Sequence, residues 1–119
     1  MEWVLDKKRP ICPQICEQLC LKISNGSFTA NERLPSVREI ALTAGVNPNT
    51  VQHSFEELEH KEILYSVRGS GWFVGEDISK AKEVIKKLYN EKTERFFSEM
   101  EALGLKHDEI KKYVEEWNI

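Results

Sequence analysis

LPSVREIALTAGVNPNTVQHSFEELEH, Leu34 to His60, holds two short amphipathic patterns around a neutral centre. Val37, Ile40, Ala41 and Ala44 fall at the three- and four-residue spacing of one helix face, and Val51, Phe55 and Leu58 repeat that spacing. Between them GVNPNT, Gly45 to Thr50, carries no charge in a chain that is 31% charged. Ser36 followed by Glu39 reads as a capping box for the first helix, and Gly45 as its left-handed stop. Asn47 reads as the N-cap of the next helix with Pro48 at its first position, and Val46 can pack on Val51 across that start. Two helices joined by so short a turn predict a helix-turn-helix, whose second helix offers its N-terminal residues to the major groove of DNA.

The side chains along that second helix are sorted by position. Asn47, Asn49, Thr50, Gln52 and His53 are neutral donors and acceptors, whereas Glu56, Glu57, Glu59 and Glu62 follow distally, where phosphate would repel them. Entry by the N-terminus, whose partial positive charge favours phosphate, keeps the carboxylates away from the backbone of the duplex. Asn47, Pro48 and Thr50 have a purely structural alternative in starting the helix. Asn49 and Gln52 do not, and Asn or Gln can bond adenine through two atoms. Arg38 either reaches DNA or pairs on the surface with Glu39 or Glu32, a contact of little value.

Downstream, ILYSV and GWFV are rich in strand-forming residues around RGSG, which predicts a hairpin wing with Arg68 at its tip. Upstream, residues 3–9 read as an arm carrying Trp3, Val4 and Leu5. A helix with Pro13 in its first turn then runs to about Ser24, ended by Asn25-Gly26. Its Cys12, Cys16 and Cys20 recur every fourth residue, too far apart at Cβ for an unstrained disulfide. The preferred reading makes them small fillers beside Ile11, Ile15, Leu19 and Ile23; a thiol sensor or soft-metal site is the alternative. His53, Glu56, Glu57 and His60 lie at i, i+3, i+4 and i+7, a spacing a metal could use, though a solvated helix back accounts for them more simply.

From about Asp77 to Leu103 the pattern is one long amphipathic helix, with Ile78, Ala81, Ile85, Leu88, Phe96, Met100 and Leu103 on one side. Gly104 ends it, and a last helix begins near His107 or Asp108 with Ile110, Val114 and Trp117 on one side. Two helices cannot bury Tyr89, Phe96, Phe97, Tyr113 and Trp117 by themselves, so an interface between subunits is expected, with packing onto the N-terminal domain as the alternative.

The chain's 119 residues, 40% of them hydrophobic, suffice for one small domain and an appendage. The net charge of −3 argues against a generic polyanion binder, so any contact with nucleic acid must be local. No apolar run has the length of a membrane span or a signal peptide, and a cytoplasmic location is expected. No nucleophile, base and pocket converge as an enzyme requires, and no cofactor or metal is expected.

LPSVREIA, GVNPNTV, the following LE and RGSGWFV together resemble the winged-helix domain of GntR-family bacterial transcription regulators. Pro10, Ile11, Gln14, Ile15, Ile23 and Gly26 extend the likeness upstream, and the two-helix tail resembles the YtrA-like subfamily. The resemblance implies a mainly α fold with a small β-hairpin wing, divided into a DNA-binding domain over residues 1–75 and a helical dimerisation region over 76–119. It implies a regulator, expected to be a repressor, that binds a double-stranded inverted-repeat operator as a homodimer and has no dedicated small-molecule effector domain.

Carried over by position, the DNA contacts fall on Arg38, Asn47, Pro48, Asn49, Thr50, Gln52, Arg68 and Gly69, with Ser36 and His53 beside them. The dimer contacts are expected from Ile85, Leu88, Tyr89, Phe96, Met100, Ile110, Val114 and Trp117. Thr29-Ala30 stands where the family usually has Pro-Gly, Glu62 where it has Gly, and Trp72 where it has a small or hydroxylated residue. The competing class is a winged-helix module for protein–protein contact, which the acidic balance mildly favours.

Overall fold

The computed structural model describes residues 2–118. Its elements are α1 (Ile11–Ser24), α2 (Val37–Ala44), α3 (Pro48–His60), β1 (Leu64–Val67), β2 (Gly71–Val74), α4 (Ser79–Ala102) and α5 (His107–Glu115). The fold is mainly helical with a small antiparallel hairpin. It divides into two compact units, Met1–Ile85 and Lys86–Ile119, with α4 running through the division. The expected boundary at 75/76 marks the end of the hairpin, but Ala81 and Ile85 are buried within the first unit.

In that first unit α1 and α3 pack together and α2 packs on α3. Ile15, Leu19 and Ile23 of α1, Ile40 and Ala41 of α2, and Val51, Phe55 and Leu58 of α3 form the core, joined by Leu34, Ile63, Leu64 and Val74. These are the apolar positions of the helical patterns, and their removal from water is the main force holding the three helices together.

The hairpin pairs Leu64 with Val74, Tyr65 with Phe73, Ser66 with Trp72 and Val67 with Gly71. The segment before α2 adds a further pairing that the sequence pattern did not reveal. The Leu34 amide donates to the Trp72 carbonyl at 2.8 Å, the Val74 amide to Glu32 and the Asn31 amide to Val74, both at 2.9 Å. The Trp72 ring meets Phe55 of α3 edge-on at 5.3 Å, and this contact fixes the wing against that helix. Gly75 is required by close approach, because a Cβ there would lie 2.8 Å from the Glu62 carbonyl oxygen. Glu62 itself has φ 61°, the left-handed conformation that makes glycine the easier choice.

The arm is tied down by two glutamines of α1. Gln14 accepts from the Asp6 amide at 2.7 Å and donates to the carbonyls of Asp6 and Pro10, each at 2.9 Å. Gln18 accepts from the Val4 amide at 3.0 Å. Lys22 lies 5.5 Å from the Trp3 ring centroid.

The second unit has a different character. Among the described residues only Ile110 is buried there, while Tyr89, Leu103, Tyr113, Val114 and Trp117 are well exposed. Phe97 stacks on His107 at 4.7 Å, joining the end of α4 to the start of α5. The Glu109 carboxylate accepts from the Lys106 amide at 2.9 Å, satisfying a donor at the α5 N-terminus. Phe96, Met100, Leu103, Leu105, Tyr113, Val114 and Trp117 line an apolar groove of about 810 Å³.

Candidate nucleic-acid interface

The turn between α2 and α3 is made as its residues dictate. Ser36 Oγ accepts from the Glu39 amide at 3.1 Å. The reciprocal bond from the Ser36 amide to the Glu39 carboxylate is not among the hydrogen bonds of the described residues, so only half of the expected capping box is formed. Gly45 closes α2 at φ 69°, and the Val46 amide returns to the Ala41 carbonyl at 3.0 Å. Asn47 Oδ1 accepts from the Asn49 amide at 2.8 Å, and Pro48 occupies the first position of α3.

With Val51, Phe55 and Leu58 facing the core, the N-terminal half of α3 turns its polar side chains outward. Asn47, Pro48, Asn49 and His53 are exposed; Thr50 and Gln52 are half-buried. Gln52 Nε2 donates to Glu56 Oε1 at 3.0 Å, one turn away. That bond holds the amide in place and turns its oxygen free for another donor.

The distal carboxylates have separate partners instead of forming a bare acidic face. Glu59 Oε2 accepts from Ser66 Oγ at 2.7 Å, tying α3 to β1. Glu62 pairs with Lys80, and the hydrogen bond between them, with the attraction of their charges, holds the Glu62 carboxyl below its usual range and the Lys80 ammonium above its own. Glu57 faces Cys12 and Cys16. Glu57 therefore belongs with these thiols of α1, and the row of His53, Glu56, Glu57 and His60 is not a converging ligand group among the described residues.

Cations flank the neutral centre. Arg38 on α2 and Arg68 at the hairpin turn are exposed, and neither has an ion-pair partner among the described residues. The surface pairing of Arg38 with Glu39 or Glu32 is thus not formed. Gly69, beside Arg68, has φ 83° with open space where a Cβ would stand, so it serves the turn without crowding the tip.

Two further cations escaped the sequence reading because each lies in a loop and reaches across the fold. Arg33 lies against Gly71 of the wing. With Ser36, Arg38 and Trp72 it lines a cleft of about 420 Å³ beside the α2 N-terminus. Lys7 Nζ donates to the Gly45 carbonyl at 3.2 Å, placing a positive charge in the turn itself. The only local signal for Arg33 was its position just before LPSVRE; Lys7 gave none.

Of the residues expected between subunits, Tyr89, Phe96, Val114 and Trp117 are exposed and Leu88 and Met100 are half-buried. Ile85 and Ile110 are buried within their own chain, so they shape the helices without offering surface. The reason is their position on the inner stripe of each helix.

Burial pushes the Cys16 thiol up to about 12, with the neighbouring Cys12 and Glu57 adding to the rise, and the Cys20 thiol up to about 11. At neutral pH both are protonated and weak nucleophiles. Cys20 is fully buried, as a filler should be, whereas Cys12 and Cys16 are only half-buried.

No helix among the described residues is long and apolar enough to cross a membrane. The family described as "Bacterial regulatory proteins, gntR family" matches residues 13–74. Among curated proteins, the chain is similar to the uncharacterized HTH-type transcriptional regulator YhcF of Bacillus subtilis (strain 168). The two are 34% identical over 110 residues, 92% of this chain and 91% of that protein. The HTH-type transcriptional repressor YtrA of the same organism is 42% identical over 71 residues, covering 57% of this chain and 52% of the relative. Among solved structures, a GntR family transcriptional regulator from Listeria monocytogenes superposes with a TM-score of 0.83 at 36% identity, over 96% of this chain and 100% of the other. AraR(DBD) in complex with operator ORE1 gives a TM-score of 0.54 at 26% identity, over 63% of this chain and 94% of the other.

Proposed function

The chain belongs to the gntR family of bacterial regulatory proteins, and on that premise we propose that it acts as a homodimeric repressor on an inverted-repeat operator. It is a sequence-specific DNA-binding regulator of transcription, not an enzyme. The observation that carries the mechanism is the α3 N-terminal half, outward-facing and free of carboxylates, together with the exposed Arg38 and Arg68, which have no ion-pair partner among the described residues.

In this reading α3 enters the major groove by its N-terminus, and Asn49 and Gln52 read base edges. Ser36 and Arg38 at the start of α2, with Arg33 beside them, hold phosphate, using the unsatisfied amides and positive end of that helix. Asn47, Pro48 and Thr50 set the helix start at the distance the readers need, and His53 lies at the edge of the contact. Arg68 and Gly69 of the wing follow the backbone of the duplex. Residues 76–119 join two copies through the exposed apolar surface of α4 and α5, and repression follows when the bound dimer covers a promoter. A cytoplasmic location, where DNA is available, fits this role.

Selection of bound duplexes from a random pool by the purified protein tests the proposal. The expected product is an inverted repeat whose half-sites lie about 34 Å apart, because operator symmetry mirrors that of the dimer. A directly repeated or asymmetric site contradicts the two-fold geometry, and failure to enrich any sequence contradicts the assignment of Asn49 and Gln52 as readers.

A further inference from the structure

Cys12 and Cys16 lie one turn apart on α1, and Glu57 reaches them from α3. Glu57 Oε2 is 3.7 Å from Cys12 Sγ and 3.8 Å from Cys16 Sγ. One ligand atom from each of these residues lies within 4.8 Å of the other two. A tetrahedral zinc-type ion, with sulfur at about 2.3 Å and carboxylate oxygen at about 2.1 Å, sets sulfur and oxygen about 3.6 Å apart. Both separations fall within about 0.2 Å of that edge.

The chemistry of the surroundings agrees with the geometry. Glu57 has no ion-pair partner among the described residues, and its carboxylate faces two thiols. Ser54 Oγ is 3.3 Å from Cys12 Sγ, close enough to donate to a thiolate there. A disulfide is excluded, since residues four apart on a helix hold their Cβ atoms about 5–6 Å apart, beyond the span of the bond. Magnesium and calcium prefer all-oxygen sites.

We propose that Cys12, Cys16 and Glu57 form a binding site for a borderline divalent cation of the zinc class, with a fourth position open to water. On binding, the thiol protons of Cys12 and Cys16 leave to solvent, including the one that Cys16 directs at the Ser54 carbonyl, and the two sulfurs and the carboxylate bond the ion. Affinity therefore rises with pH. The ion links α1 to α3, and the site stands whether or not the operator reading holds.

The test uses the full reduced chain with Co²⁺ as probe, followed by displacement with Zn²⁺. One equivalent of Co²⁺ per chain should bind with a sulfur-to-cobalt charge-transfer band and the visible bands of a tetrahedral ion, removed by Zn²⁺ and unaffected by Mg²⁺. C12S and C16S should each reduce the charge-transfer intensity and the affinity, the double variant should abolish the band, and C20S should leave it intact. Glu57→Gln should weaken Co²⁺ binding roughly 10-fold or more while keeping the thiolate band. Far-ultraviolet circular dichroism establishes that each variant is folded; should C16S unfold, C12S and Glu57→Gln decide. The proposal is overturned by a wild-type chain with no thiolate band at saturating Co²⁺, by a band that persists in folded C12S/C16S, by one that requires Cys20, or by an unchanged affinity in Glu57→Gln.

Discussion

The two compact units solve the problem of apolar surface in opposite ways. In the first, residues from every helix and both strands share one core, and Ile15, Leu19, Ile40, Val51 and Phe55 have no exposure at all. In the second, Trp117 is 58% exposed and Tyr89 62%, although α4 and α5 are well-formed helices with a closed turn at Gly104. The difference is one of layers. Three helices and a hairpin enclose a volume, whereas two helices in contact leave their far aromatic side chains to water. The first unit gains its stability within the chain; the second leaves exposed the apolar surface that the proposed dimer would bury.

That contrast is broken most decisively by cutting between the units. A chain ending at Ile85 keeps Ala81 and Ile85, which are buried in the first unit and which a cut after Val74 would remove. It should sediment as a folded monomer and lose on the order of 100-fold or more in operator affinity, since the second half-site is no longer delivered by linkage. A truncated chain that remains dimeric at the same concentration would place the interface in the first unit.

The next effect sharpens the comparison from the other side. Phe55 has no exposure and supports the edge of the Trp72 ring. Phe55→Ala should destabilise the first unit by about 3–5 kcal/mol, the usual cost of removing a buried aromatic side chain. Trp117→Ala, at an exposed position, should shift the monomer–dimer equilibrium while leaving the first unit's melting intact. Denaturant unfolding across a range of protein concentrations separates the two: the Phe55 defect is independent of concentration and the Trp117 defect is not. If Trp117→Ala behaves like Phe55→Ala, the second unit is not an interface.

The sequence was informative where structure is decided within a turn of helix. Ser36, Gly45, Asn47 and Pro48 carry their cap chemistry locally, and the observed ends of α2 and α3 fall beside them. The hairpin was legible for the same reason, with Gly69 and Gly71 both at positive φ. What stayed hidden joins distant segments. The pairing of Asn31, Glu32 and Leu34 with the second strand has no alternating pattern to announce it. Arg33 and Lys7 depend on where the fold brings the wing and the turn. The meeting of Cys12 and Cys16 with Glu57 arises from the packing of α1 on α3, so spacing along α3 alone pointed toward the histidines. The bond from Gln52 to Glu56 lay within reach of the i, i+4 rule, and it bears on the base-reading role proposed for Gln52.

Gln52 is held by Glu56 before any duplex arrives, so its loss should act on reading and not on the fold. Gln52→Ala should cost about 1–3 kcal/mol of operator affinity, chiefly at one base pair in each half-site, and leave the salt slope nearly unchanged. Glu56→Ala frees the same amide and removes a carboxylate near the duplex. It should bind unrelated DNA more tightly and discriminate less at that base pair. Titrations against single-base operator variants check both; a uniform loss over all duplexes in Gln52→Ala would assign the residue to the backbone instead.

The smallest expected effect belongs to the wing, and it tests whether charge in the first unit works apart from sequence reading. Arg68 is exposed at a turn next to Gly69, has no ion-pair partner among the described residues, and lies away from the core. Its removal should therefore leave stability within about 0.5 kcal/mol of the parent. If Arg68 meets phosphate, each wing of the dimer displaces about one condensed counterion, and Arg68→Ala should lower the salt slope by about one unit per wing. Operator and unrelated duplex should weaken together, because a phosphate has no sequence to read. Arg68→Lys should restore most of the slope, as a point charge suffices at a phosphate. If Arg68→Ala instead abolishes discrimination at one base pair with the slope unchanged, Arg68 enters a groove as a reader, where Lys is a poor substitute for the guanidinium fork. Binding isotherms over several salt concentrations, with the two variants side by side, decide between anchor and reader.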